Sequence, residues 1–399
     1  MIRRPPWTLP VIVFSQFAGT SIWFSGNAVL TELTRSWPQT SSIVGWVTGA
    51  VQLGFILGTL LFAILGIADR YSPRWVFLAC TAAGAAANLF TALVEPTPAP
   101  ILILRFLCGL FLAGIYPVGM KIAAGWYAKG LGNALGFLIG ALVLGTAFPH
   151  LLKGALASVP FEVVIYLSSG ICLFGGLMMA VMIPDGPYLA GGSRFDPRAV
   201  LTLFQHRKLR AAALGYFGHM WELYTLWAFV PIFLSAYLIN QTELSLNVSV
   251  WSFGVIGGGS IGCIVGGWMS RRMGSAAVAS FLLAVSGLCC LLMPFLFSAP
   301  PMVFLTLILI WGIAVVGDSP QFSTIVARSA PPDRVGSALT LVNCIGFSIT
   351  VVSLWVVQWL ATALPSHYLP LFLAIGPAVG LVAMRPLTKA GKAIKKAKK

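Results

Sequence analysis

The chain has 399 residues, of which 58% are hydrophobic and 9% charged, with a net charge of +15 and a mean hydropathy of +0.91. A soluble globule of this composition would leave its apolar surface to aggregate, and its repeated uncharged runs of about 20 residues match bilayer thickness, so a soluble enzyme is excluded and an integral membrane protein is expected. The positive charge is not a nucleic-acid footprint: seven of the 25 basic residues (Arg385, Lys389, Lys392, Lys395, Lys396, Lys398 and Lys399) crowd the last fifteen positions, and most others fall in alternate short loops, the positive-inside pattern.

Twelve spans are predicted, near residues 9–30, 42–67, 75–94, 99–121, 133–152, 162–184, 210–237, 249–270, 275–297, 302–326, 336–359 and 368–385. They place 22 basic residues on one side, Arg35 and Lys153 on the other, and Arg105 within a helix. Both termini are therefore expected in the cytoplasm of a plasma (inner) membrane. The opening MIRRPPWTLPVIVF has the layout of a signal peptide, but its apolar part runs on to about Leu30 without a cleavage site, so it reads as the first span. All seven cysteines fall inside spans, where they behave as small apolar residues. Neither a disulfide framework nor a metal site or cofactor is expected.

The first span offers Gln16, Trp23 and Asn27 as candidates to line a cavity, although polar residues on a helix equally cap backbone groups. The fourth span opens with Arg105 in ILILRFLCGLFLAG, roughly 9 Å below the outer boundary at about 1.5 Å per residue. An ion at that depth needs a partner. A substrate anion or a proton relay would supply one; a structural ion pair or a backbone clamp would serve as well. Further along the same span, Gly114, Ile115, Val118 and Gly119 recur as Gly312, Ile313, Val316 and Gly317 at an offset of 198, and Trp23 recurs as Trp221. Half the chain repeats the other half, and two similar bundles of membrane helices are the architecture of a secondary transporter.

Glycines at intervals of four on the fifth span (Gly132, Gly136, Gly140) and the eighth (Gly254, Gly258, Gly262, Gly266) allow close helix approach, either as static packing or as smooth surfaces on which halves can rock. The connection PDGPYLAGGSRFDPRAVLTLFQHRK links the halves, which divides the chain into residues 1–184, a linker at 185–209, residues 210–385 and a basic tail at 386–399. The seventh span carries the densest polar cluster, GYFGHMWELYTLW, in which His219 and Glu222 share a helix face. Glu222 lies about 18 Å from the cytoplasmic boundary, near the midplane where transporter sites are expected. A carboxylate there can gain and lose a proton as a cavity changes face, or it can fix packing as a neutral or His-bonded group. Trp221, Tyr224 and Trp227 are aromatic candidates for the same cavity, or ordinary packing residues. On the tenth span, Asp318 is the only charge between Arg272 and Arg328, and the offset of 198 sets it beside Lys121 at the end of the fourth. The two are expected to pair across the repeat axis, with or without a gating role, or else Asp318 titrates.

The loop after the second span reads GIADRYSPRW, with Asp69, Arg70 and Arg74; the loop after the eighth reads GWMSRRMGS, with Gly267, Arg271, Arg272 and Gly274. These resemble the signature of the major facilitator superfamily, a glycine, three residues, Asp-Arg, one residue, a glycine and then basic residues. Leu65 and Ser72 replace its glycines in the first copy, and Arg271 replaces its aspartate in the second. The resemblance implies an all-α membrane fold of twelve helices in two pseudo-symmetric six-helix bundles. It also implies a latch in which Asp69, beside Arg70 and Arg74, holds the cytoplasmic side closed against the start of the eleventh helix near Gly336; Lys121, Arg271 and Arg272 join that set of gating charges. The alternative is a solvated turn. The family's multidrug branch carries a Gly-Pro motif in the fifth helix, whereas here GFLIGALVLGTAFPH displaces Pro149, which disfavours drug export. Its nitrate branch carries arginines in the second and eighth helices, and neither span here has one.

The expected function is transport of a small polar or anionic solute by alternating access, as proton-coupled uptake. Proton-driven efflux is the rival, and a membrane signalling scaffold the reading outside transport. Four scattered histidines do not assemble a membrane enzyme. The expected partners are the solute, protons and membrane lipid, with no nucleic acid, and the expected state is a monomer.

Overall fold

The computed structural model describes residues 5–35, 37, 43–127, 130–156, 158–189, 196, 205–239, 241, 244–331 and 334–397. Most of the expected linker and the last two lysines lie outside the described residues. Among the described residues the chain is helical, without a strand. Ten helices are long and apolar enough to cross a membrane: Ile43–Leu65, Pro98–Trp126, Leu131–Ala155, Glu162–Met182, Arg207–Ile239, Val248–Met273, Ser275–Leu296, Pro301–Ser329, Val335–Leu360 and Ser366–Thr388.

The two remaining expected spans differ in length and composition. The first is not one helix over 9–30: α1 (Thr8–Thr20) stops, the chain turns through residues 21–24, and two single turns follow, α2 (Ser25–Ala28) and α3 (Leu30–Leu33). The serines and glycine of SIWFSG are weak helix formers, and a buried side chain described below takes up a carbonyl that the break releases. The third is α6 (Pro73–Phe90), whose 18 residues are rich in Ala and include Arg74 and Asn88.

The other elements are α4 (Ile43–Leu65), α5 (Ile67–Arg70), α7 (Pro98–Leu112), α8 (Tyr116–Trp126), α9 (Leu131–Ala155), α10 (Glu162–Met182), α11 (Arg207–Ile239), α12 (Val248–Met273), α13 (Ser275–Leu296), α14 (Pro301–Gly317), α15 (Ser319–Ser329), α16 (Val335–Leu360), α17 (Leu369–Leu373) and α18 (Ile375–Ala397). The fourth and tenth spans are each interrupted, between α7 and α8 and at Asp318 between α14 and α15. Each resumes with a proline in its first turn, Pro117 or Pro320. Proline is tolerated there because the first-turn N–H groups lack helical partners in any case.

The chain divides into two compact units, Met1–Arg194 with Asn247–Gly257, and Phe195–Leu246 with Gly258–Lys399. In the first, α4 and α7 meet backbone to backbone: a Cβ at Gly54 would overlap the carbonyl of Phe106, and one at Gly109 that of Val51. In the second, Gly218 of α11 meets Gly376 and Gly380 of α18. Gly262 and Gly266 of the eighth-span stripe press on Ile313 and Gly317 of α14, which is packing inside one unit. Gly132 and Gly136 of the fifth-span stripe face open space. Gly66 (φ +60) and Gly274 (φ +86) take backbone conformations that other residues resist, ending α4 and starting α13 in the two signature-like loops.

Candidate transport site

The first unit holds a buried cation with neutral partners. Arg105 on α7 is 0% exposed. Its Nη1 donates to Ser25 Oγ (3.0 Å) and Asn88 Oδ1 (2.8 Å), and its Nη2 to the Ile22 carbonyl (2.8 Å). Ile22 lies in the gap between α1 and α2, so the guanidinium caps a carbonyl left free by the break. Ser25 Oγ donates to Asn88 Oδ1 at 2.5 Å, while Asn88 Nδ2 donates to Ser169 Oγ (2.9 Å) and the Ile165 carbonyl (3.3 Å), tying α2, α6, α7 and α10 together. No carboxylate contacts Arg105 among the described residues. One of its three acceptors is a backbone carbonyl and two are side chains, while the buried Nε has no hydrogen-bond partner among the described residues.

Nearby in the same unit, Asn27 Nδ2 donates to Thr48 Oγ1 (2.7 Å), and the Trp23 ring packs 5.0 Å from that of Phe55. Gln16, against Gly119, is fully buried, and so is Gln52 on α4. Both atoms of each amide lack a hydrogen-bond partner among the described residues. Gln52 escaped the sequence reading, since a lone glutamine on an apolar span reads as incidental.

The second unit holds two buried acids. Glu222 on α11 accepts hydrogen bonds from Trp311 Nε1 (2.6 Å), Ser286 Oγ (2.9 Å) and Cys290 Sγ (3.2 Å), from α14 and α13. One turn away, His219 Nδ1 stands 2.8 Å from Asp318 Oδ1, both side chains being 0% exposed. The rings of Tyr216 and Phe322 flank His219 at 5.6 and 5.9 Å. The shared helix face of His219 and Glu222 therefore serves two partners rather than one contact. Trp221 donates from Nε1 to the Phe372 carbonyl (3.0 Å), and Tyr224 packs with Trp227 and Phe347 at about 5 Å.

Ser286 and Trp311 had no part in the sequence reading, and Cys290 entered it only as a small apolar residue. One signal could have found the hubs: Asn88 and Ser286 stand 198 residues apart, the repeat offset, on the third and ninth spans. Asn88 and Ser286 thus hold equivalent places in the sequence repeat, one bonded to a guanidinium and the other to a carboxylate.

Several of the expected gating charges have partners within their own units. Asp69 of α5 pairs with Lys121 of α8, whose Nζ also donates to the Ala68 carbonyl at 2.6 Å, so Lys121 and Asp318 each have a partner in their own unit. Arg74 reaches the Ala180 carbonyl at 3.5 Å and lies 5.4 Å from the Trp75 ring, while Arg70 is exposed. Arg272 lies over the Trp268 ring at 5.0 Å, with Arg271 exposed beside it.

The sequence model of the Major Facilitator Superfamily matches residues 11–354 and 212–399. Among solved structures, the nucleoside transporter NupG superposes with a TM-score of 0.73 at 14% identity, covering 95% of this chain and 99% of that one. A bacterial homologue of the human lysosomal transporter Spinster superposes equally well in two inward-facing forms. The unoccupied form has a TM-score of 0.73 at 13% identity, with 99% of each chain covered. The occupied form has 0.73 at 14%, with 98% of each covered. No curated protein sequence matches the chain.

Proposed function

This chain belongs to the Major Facilitator Superfamily, and from that premise we propose that it takes up a small polar solute together with protons by alternating access. Membership makes it a multi-pass membrane transporter rather than an enzyme. The observation that carries proton coupling is the pair of carboxyl groups enclosed in one unit: Glu222 among three neutral donors, and Asp318 against His219. Neither has a Lys or Arg partner among the described residues. A lone carboxylate is costly inside a bilayer, so its charge state follows whichever path to water is open. A proton taken from one compartment and released to the other ties solute movement to the pH gradient.

The solute class rests on the first unit. Two buried glutamine amides without partners among the described residues, Gln16 and Gln52, are suited to hydrogen-bond a polar molecule. Both terminal nitrogens of Arg105 are held by neutral acceptors, leaving only its Nε without a partner among the described residues, which supports a polar solute over an obligatory anion. The nucleoside transporter among the structural neighbours fits that class, but at 14% identity it lends the fold alone. We further read the first and third expected spans as membrane crossings. That gives twelve crossings in two six-helix halves, with both termini in the cytoplasm of a plasma (inner) membrane and a monomer as the working unit.

The test is a thermal-stabilisation screen of the purified protein against metabolite and drug libraries, followed by transport in liposomes with and without a pH gradient. A polar metabolite should exchange in both conditions and accumulate only when the outside is acidic. Equal accumulation without the gradient would refute coupling, and a gradient that empties the liposomes would establish efflux instead.

A further inference from the structure

One end of the second unit carries a cavity that plays no part in the transport site. It measures about 600 Å³ and lies where α12 turns into α13, between the last turn of α15 and the Leu387–Thr388 part of α18. That volume falls within the roughly 300–1,000 Å³ of small-ligand sites.

Its polar groups point to an anion. Arg328, at the end of α15, is exposed and makes no ion pair or hydrogen bond among the described residues. The Oγ of Ser280 is closed off from solvent and has no hydrogen-bond partner among the described residues. The 22-residue helix α13 starts at the cavity wall with no side chain capping it and no acidic residue in its first turn. Its free N–H groups and helix dipole favour negative charge there. Among the described residues no lining side chain is acidic.

The rest of the cavity is apolar and leads along the helix. Ile325, Phe281 and Leu387 form its walls. From Phe281, which is 50% exposed, the same face of α13 continues through Leu288 (54%) to Phe295 (75%), spaced seven residues apart. A membrane-spanning helix presents such a face to acyl chains. A soluble phosphate would use the arginine and the helix start but not this track.

We propose that the cavity seats one anionic phospholipid, its phosphate held by Arg328, Ser280 and the start of α13, and one acyl chain laid along Phe281, Leu288 and Phe295. Basic pockets between membrane helices bind lipid head groups by the same chemistry. The site is independent of the transported solute and of proton coupling.

The test uses the full-length protein, delipidated in detergent. Native mass spectrometry would follow binding of phosphatidylglycerol and of phosphatidylcholine with matched acyl chains, with glycerol phosphate as a soluble competitor. The expected result is one retained phosphatidylglycerol with about fivefold preference over phosphatidylcholine, whose trimethylammonium offsets the phosphate charge beside Arg328 and the helix start. Arg328→Gln should abolish that preference and Arg328→Lys should keep part of it. Ser280→Leu, which fills the cavity without changing charge, should reduce retention of the lipid. A preference that survives Arg328→Gln would assign it to the basic tail and overturn the proposal. So would displacement by glycerol phosphate at the concentration at which phosphatidylglycerol binds, since that would mark a soluble-phosphate site.

Discussion

Arg105 shows how much of a buried charge's role is decided by its neighbours. Its depth and charge stand out in the sequence, but its partners do not: Ser25, Asn88 and the Ile22 carbonyl come from two other helices and from a helix break. Neutral polar residues on apolar spans carry no individual signal, and the break at residues 21–24 has no proline to announce it. Glu222 was legible for the opposite reason, since a carboxylate near the midplane is conspicuous whatever surrounds it. The clamp role makes a specific prediction. Arg105→Gln should lower unfolding stability by about 2 kcal/mol, because three acceptors lose a charged donor inside the bundle. Thermal unfolding in detergent would measure this, and the loss should be the same with and without solute. A variant of normal stability that had lost only solute affinity would identify Arg105 as a ligand instead.

Among the elements, glycine decides which helices touch. Gly54 and Gly109 bring α4 and α7 together at backbone distance, where a Cβ would overlap a carbonyl that cannot move aside, whereas Gly136 on α9 faces open space. Gly109→Ala should therefore destabilise the protein by about 1–3 kcal/mol, while Gly136→Ala should be neutral or stabilise by about 0.5 kcal/mol by restricting the unfolded chain. Thermal unfolding of the two variants side by side checks the contrast, and equal effects would contradict it. Both stripes are visible in the sequence, but spacing alone does not say which face of a helix meets a neighbour. The interruptions of the fourth and tenth spans were within reach, since Pro117 and Pro320 mark where each resumes. The pairing of α5 with α8 through Asp69 and Lys121 belongs to the same scale. Such a partly exposed pair contributes under about 1 kcal/mol to stability. If it biases the conformational equilibrium, Asp69→Asn and Lys121→Gln should raise cysteine labelling from the cytoplasmic side to the same extent. Labelling that matches the unmodified protein would reduce the pair to a surface contact.

For the whole molecule, composition, alternate-loop charge and the offset of 198 were enough to read a duplicated membrane transporter, because each follows from the bilayer itself. The charged centre was legible only as a set of residues, and its division was not. The cation is enclosed in one unit with neutral acceptors; the acids are enclosed in the other with neutral donors and a histidine. Sequence offset locates equivalent positions, not neighbours, so it carries no signal for the pairing of Asp69 with Lys121 or of His219 with Asp318. The proposed drive for solute uptake, a proton on Glu222, sets a sharp expectation for one variant. In liposomes, Glu222→Gln should retain solute counterflow at close to the unmodified rate while losing accumulation driven by a pH gradient. Accumulation equal to that of the unmodified protein would contradict the account.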